Sequence, residues 1–135
     1  MATGTFATTI NCMDGRTQLP VIDFLRRRFG VDFVDSITEP GPNGILAKCE
    51  DRAAVESIKQ RVDISTTQHG SRQIAIVAHH ACAGNPTDSE TQISQLLTAT
   101  KTVRSWGFRG EIVRLWIDEA WQVHEVVNDE DEASS

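Results

Sequence analysis

Apolar positions along this chain switch between two spacings. Residues 5–11 are rich in β-branched side chains and run into Asp14-Gly15, which reads as a first strand and its turn. Pro20 suits a first helical turn, Ile22, Leu25 and Phe29 then recur at helical spacing, and Gly30 closes the segment as its C′ residue. Residues 31–37 alternate as a second strand, and residues 39–44, Glu-Pro-Gly-Pro-Asn-Gly, read as a loop. Val55, Ile58 and Val62 predict a helix over about 52–63. Residues 73–78 are nearly all apolar, the pattern of a strand covered on both faces. Thr87 with Glu90 reads as a capping box opening a helix through Ile93, Leu96, Leu97, Thr100 and Val103 to about Trp106, ended by Gly107. Residues 111–117 read as a fourth strand and residues 120–127 as a candidate edge strand. Strands alternating with helices predict an α/β fold. Its centre is a mostly parallel sheet of four strands plus that edge strand, with helices on both faces and right-handed crossovers.

The length of 135 residues suits one domain with a core that needs no disulfide staples. We expect residues 1–127 to form a single α/β domain and residues 128–135 an acidic, disordered tail, since Asp129-Glu130-Asp131-Glu132 supplies much of the net charge of -6. The dense basic run, Arg26-Arg27-Arg28, lies between Phe24 and Phe29 on the first helix and reads as a solvated face, so nucleic acid is not an expected partner. Apolar runs stay too short to cross a bilayer, and the first residues lack the pattern of a secretory leader. Three cysteines cannot complete a set of internal disulfides. These features lead us to expect a cytoplasmic protein in a reducing compartment, where neighbouring cysteines bind metal or do chemistry.

Two clusters carry that chemistry: Cys12-Met13-Asp14-Gly15-Arg16 and His79-His80-Ala81-Cys82, each at the end of a strand-like run. Together they offer two thiolates and an imidazole, the soft donor set that Zn²⁺ prefers. In an open α/β sheet, ligands gather beyond the carboxyl ends of the strands, so adjacency of the first and third strands would bring Cys12, His79 and Cys82 to one ion. Three protein ligands leave a position for water, a catalytic arrangement, whereas Asp14 as a fourth would close the site and make it structural. Arg16 can clamp Asp14 in bidentate fashion, holding it ionised beside the metal, or the two can form a surface ion pair in a turn.

Cys-x-Asp-x-Arg after one strand and His-x-x-Cys after another resemble the signature of the β-class carbonic anhydrases, with all five positions present. The resemblance implies zinc on Cys12, His79 and Cys82, a catalytic dyad of Asp14 and Arg16, and a homodimer or higher homo-oligomer. It implies reversible hydration of carbon dioxide to bicarbonate by zinc-bound hydroxide, zinc having lowered the pKa of its water to about 7. His80 is then a candidate proton carrier, or a turn residue without a role. Gly15 stands where Ser or Ala is usual, Ala83 where glycine is usual, and residues 38–44 where many members carry Arg-Asn-Ala-Gly. These departures keep two alternatives in view: hydrolysis of carbonyl sulfide or carbon disulfide on the same fold, and a non-catalytic zinc protein with a closed site. A redox thiol protein ranks lower, because no Cys-x-x-Cys pair is present. Cys49 reads as a small buried thiol, His69 and His124 lack metal spacing, and Trp106, Trp116 and Trp121 read as packing or interface residues.

Overall fold

The structure is a computed structural model that describes residues 4–127; the acidic tail expected over 128–135 lies outside them. Five strands, β1 (Phe6–Cys12), β2 (Phe33–Glu39), β3 (Gln73–His79), β4 (Glu111–Ile117) and β5 (Val123–Val126), form one sheet in the order β2-β1-β3-β4-β5. The first four are mutually parallel, and β5 pairs antiparallel with β4 along the edge. Four helices connect them: α1 (Gln18–Phe29), α2 (Pro42–Lys48), α3 (Arg52–Gln68) and α4 (Ser89–Arg104). No helix among the described residues is long and apolar enough to cross a membrane.

The helices divide between the two faces as the apolar pattern requires. Val21 and Leu25 of α1 pack on Ala75, Val77, Val113, Leu115 and Ile117. On the opposite face Leu46 of α2, Ile58 and Val62 of α3, and Leu96, Ala99 and Val103 of α4 cover Ile10, Ile37, Ile74, Ile76 and Ala78. Successive residues of β3 therefore alternate between two cores, which is why its sequence is a continuous apolar run rather than an alternation. Gly30 caps α1 in the left-handed conformation (φ 65°), as expected of a C′ residue.

The local differences have local causes. Residues 39–44 are not all loop: Pro42 opens α2, a seven-residue helix held by burial of Leu46 and Asn43 rather than by propensity. Strand β2 begins at Phe33, because Asp32 turns instead to Thr5, whose backbone N–H donates to its carboxylate at 2.9 Å. Helix α3 continues to Gln68, and its buried Ser65 bonds to Thr8 of β1 at 2.6 Å. The cap of α4 is Asp88, which accepts from the Thr91 N–H at 2.8 Å, in place of a Thr87–Glu90 box.

Ile76, fully buried in the central strand, tests the core directly. Ile76→Ala should lower unfolding free energy by about 2–5 kcal/mol; a urea titration showing less than about 1 kcal/mol would mean that β3 is not packed on both sides.

Candidate active site

The sheet reverses direction at β1. From β1 the chain moves outward to β2, then crosses back to place β3 on the other side of β1. The β1–β3 ladder runs from Thr8↔Ile74 to Ile10↔Ile76, whereas the flanking ladders continue to Cys12↔Glu39 and His79↔Ile117. The two central strands thus part at their carboxyl ends, which is where an α/β sheet opens a crevice. Cys12 and His79 are the last residues of the parting strands, and both are buried.

Cys82 reaches the same point through a tight turn. His80 N donates to Ile117 O at 3.0 Å, and Ala81 takes a left-handed conformation (φ 53°) that returns the chain inward. The Cys12 and Cys82 sulfurs stand 3.8 Å apart, and with a ring nitrogen of His79 all three donor atoms lie within 4.8 Å of one another. His79 Nδ1 lies 2.7 Å from the backbone oxygen of His80, while Nε2 is buried without a hydrogen-bond partner. A buried nitrogen left bare costs about 1–3 kcal/mol. That cost disappears if Nδ1 carries the proton and Nε2 donates its lone pair to a cation, the usual second-layer arrangement of a ligating histidine.

The donor set fits zinc. Bonds of 2.3 Å at a tetrahedral angle place two thiolates about 3.8 Å apart, the separation found here. Donation from the Cys82 thiol, above all, draws Cys12 below the usual thiol range, and the same bond together with burial pushes Cys82 up. A cation bound between the two sulfurs would displace the proton they share.

Asp14 is turned to Arg16 and is not one of the three converging donors. Its Oδ1 accepts from Arg16 N at 2.9 Å and Nε at 3.0 Å, and its Oδ2 accepts from Nη2 at 2.6 Å. These bonds hold the carboxyl at about 2, well below the usual aspartate. Between the two clusters lies a cleft of about 200 Å³ lined by Cys12, Met13, Asp14, Pro40, Ala83 and Gly84. Sites for drug-sized ligands run to about 300–1,000 Å³, so this one suits a molecule of a few atoms.

Comparison with known proteins identifies the family and the fold. A family model described as "Putative carbonic anhydrase" matches residues 2–127. The chain belongs to that carbonic anhydrase family. Among solved structures it is similar to the β-carbonic anhydrase isoform I of the protozoan Trichomonas vaginalis, at 17% identity and TM-score 0.57, covering 90% of this chain and 82% of that one. It is likewise similar to the carbonic anhydrase of Streptococcus mutans, at 17% identity and TM-score 0.53, covering 89% and 81%. Both are likenesses of fold. The apo form of carbon disulfide hydrolase aligns over 98% of this chain and 84% of its own at 12% identity, but a TM-score of 0.48 gives it no weight. No curated protein matches the sequence.

This carbonic anhydrase family member surrounds its five motif residues with others that the sequence pattern did not single out. Asn11 Oδ1 accepts from the Cys12 N–H at 2.8 Å, and Gln18 Nε2 donates to Cys12 O at 2.7 Å and Asp14 O at 3.1 Å. Thr17 Oγ1 adds a bond to Asp14 O at 2.7 Å, so the Cys-x-Asp-x-Arg turn is clamped from three sides. Trp121 packs against the core on the α1 face, as expected, and its ring also lies 4.4 Å from the Arg16 guanidinium carbon and 4.7 Å from the His80 ring. Cys49 is exposed, not buried, because it ends α2 in a left-handed conformation. His69 stacks on Phe6 with Nδ1 2.6 Å from Asp35 Oδ2, and His124 pairs with Asp118, so neither joins the donor cluster.

A buried amide cluster ties the second motif to α4. Asn43 Nδ2 donates to Gln92 Oε1 at 2.9 Å, Asn85 Nδ2 to Gln95 Oε1 at 2.6 Å, and Gln92 Nε2 to Asn85 O at 2.9 Å. Glycine permits the close approach: a Cβ on Gly41 would stand 2.6 Å from that of Asn85, and one on Gly84 2.5 Å from Pro40. Gln92→Leu should cost about 1–3 kcal/mol, because it strands buried amide groups. Guanidinium unfolding measures this, and an unchanged midpoint would show that the cluster is not needed.

Proposed function

We propose that this chain catalyses reversible hydration of carbon dioxide to bicarbonate, with Zn²⁺ held by Cys12, His79 and Cys82. The observation that carries the reading is the buried, bare Nε2 of His79 facing two sulfurs 3.8 Å apart, with Asp14 committed to Arg16 beside them. Zinc bound there supplies Lewis acidity that makes water a nucleophile near neutral pH. The protein's part is alignment. Asp14, kept ionised by Arg16, can only accept hydrogen bonds; Oδ2 takes one from Arg16 and has a lone pair left with which to orient a water toward the cleft. Met13, Pro40 and Ala83 give that cleft apolar walls suited to an uncharged, few-atom substrate. Arg16 keeps Asp14 from turning to the metal, which supports an open site over a closed one.

Three unpaired cysteines support a cytoplasmic setting, which fractionation of native cells tests. A homodimer completes the reading, supported by the exposed Phe33 on edge strand β2 and exposed Met13 and Leu19 beside the site; sedimentation at monomer mass counts against it.

Stopped-flow measurement on zinc-replete protein should show carbon dioxide hydration that a chelator removes and added zinc restores. Turnover of carbonyl sulfide or carbon disulfide without carbon dioxide would replace the substrate, and inactivity on all three with zinc bound would leave a non-catalytic zinc protein.

Cys82→Ser should lose most of the stoichiometric zinc by elemental analysis; full retention would remove Cys82 from the ligand set. Asp14→Ala should keep its zinc and lose about 100-fold or more in kcat, and an unchanged rate would remove the carboxylate from the mechanism.

A further inference from the structure

We propose that Trp121 is a positioning residue for the Asp14–Arg16 pair, set in place by the Asp118 turn between β4 and β5. The inference rests on the carbonic anhydrase reading above and adds to it a residue outside both motifs.

The need for such a residue follows from exposure. The Arg16 side chain is 57% exposed, and an exposed ion pair alone is a weak restraint on a long, flexible side chain. What pins the guanidinium is the Trp121 ring, whose centroid lies 4.4 Å from Cζ, inside the range of a cation–π contact. Arg16 is thus held by Asp14 through its edge and by Trp121 through its face. The same ring meets the imidazole of His80 at 4.7 Å and that of His79 at 6.0 Å, so it touches both halves of the site.

The backbone supports the assignment. Trp121 has φ 59°, a conformation that a bulky L residue adopts at a cost and keeps only where its surroundings impose it. Here Asp118 imposes it. Its Oδ1 accepts from Ala120 N at 2.9 Å and Gln122 N at 3.0 Å, and its backbone O accepts from Trp121 N at 2.9 Å. Its N–H donates to Gln122 O at 3.1 Å, and its Oδ2 lies 2.6 Å from His124 Nε2. A five-residue turn so fully bonded is built to present one side chain, and that side chain is the indole over Arg16.

The test compares Trp121→Ala with Trp121→Phe. Both substitutes are L residues at the same strained φ, so the difference isolates the ring. In ¹⁵N-labelled protein the Arg16 Nε–H signal should be shielded by the indole face and slow to exchange with water. Trp121→Ala should abolish the shielding and speed exchange about tenfold or more, while Trp121→Phe keeps most of both. In turnover, Trp121→Ala should lower kcat by about 10-fold to 100-fold at unchanged zinc content. In an Arg16→Ala background the same substitution should cost less than about twofold, because its route of action is already gone. If Trp121→Ala fails to fold, Trp121→Leu keeps the bulk without the π face. An unmoved Arg16 Nε–H signal, or equal losses in both backgrounds, overturns the proposal. The resonance measurement needs no turnover, so an inactive wild-type protein would refute the carbonic anhydrase reading while leaving the role of Trp121 to be decided on its own.

Discussion

The separation of β1 from β3 beyond Ile10↔Ile76 is the constraint on which the rest of this structure depends. Cys12 and His79 are 67 positions apart along the chain, yet each ends a strand, and the strands are neighbours because the chain reverses direction between them. Had β3 been added outside β2, the same two motifs would stand at opposite sides of another strand. The reversal places α1 on one face and α3 and α4 on the other, so β3 is pressed between two cores while β1 leaves it beyond Ile10. The donor cluster is thus a consequence of topology, and its precision is inherited from two buried apolar layers.

Much of this was legible in the chain. The apolar run of β3 announced a strand buried on both faces, Gly30 announced the end of α1, and Cys12, His79 and Cys82 were conspicuous as soft donors at strand ends. What stayed hidden depends on contacts between distant segments. Helix α2 is only seven residues long, contains Gly44 and starts two residues after Pro40, so local propensity argues against it; only burial of Leu46 and the amides of Asn43, Asn85 and Gln92 makes it a helix. Trp121 gave no signal because its role comes from a left-handed backbone that no periodicity encodes. Asp118-Glu119-Ala120 could have hinted at a turn capped by its first carboxylate, but the partner of the indole lies over a hundred positions away.

Polar residues around the first motif solve a problem that the apolar cores cannot. A turn leaving a strand exposes carbonyls that must find donors. Here Thr17 and Gln18, the first residues beyond the motif, supply them to Cys12 and Asp14, while Asn11 takes the Cys12 N–H. The motif therefore carries its own scaffold immediately upstream and downstream. Replacing any of these by an apolar residue of similar size would preserve packing and still loosen the direction in which Cys12 and Asp14 point.

Whether such a site stays open is decided by competition for Asp14. A free aspartate beside a bound cation would turn toward it, closing the coordination shell. Here that rotation would break three charge-assisted bonds to Arg16 and leave a guanidinium facing Trp121 without its counter-charge. The Arg16 bonds keep that carboxyl ionised, well below the usual aspartate range. Trp121 strengthens the same side of the balance, since an arginine gripped on its face cannot follow the carboxylate if it turns. An open site, as proposed, would therefore rest on guanidinium and ring together, and an acid in this place without both would be a ligand.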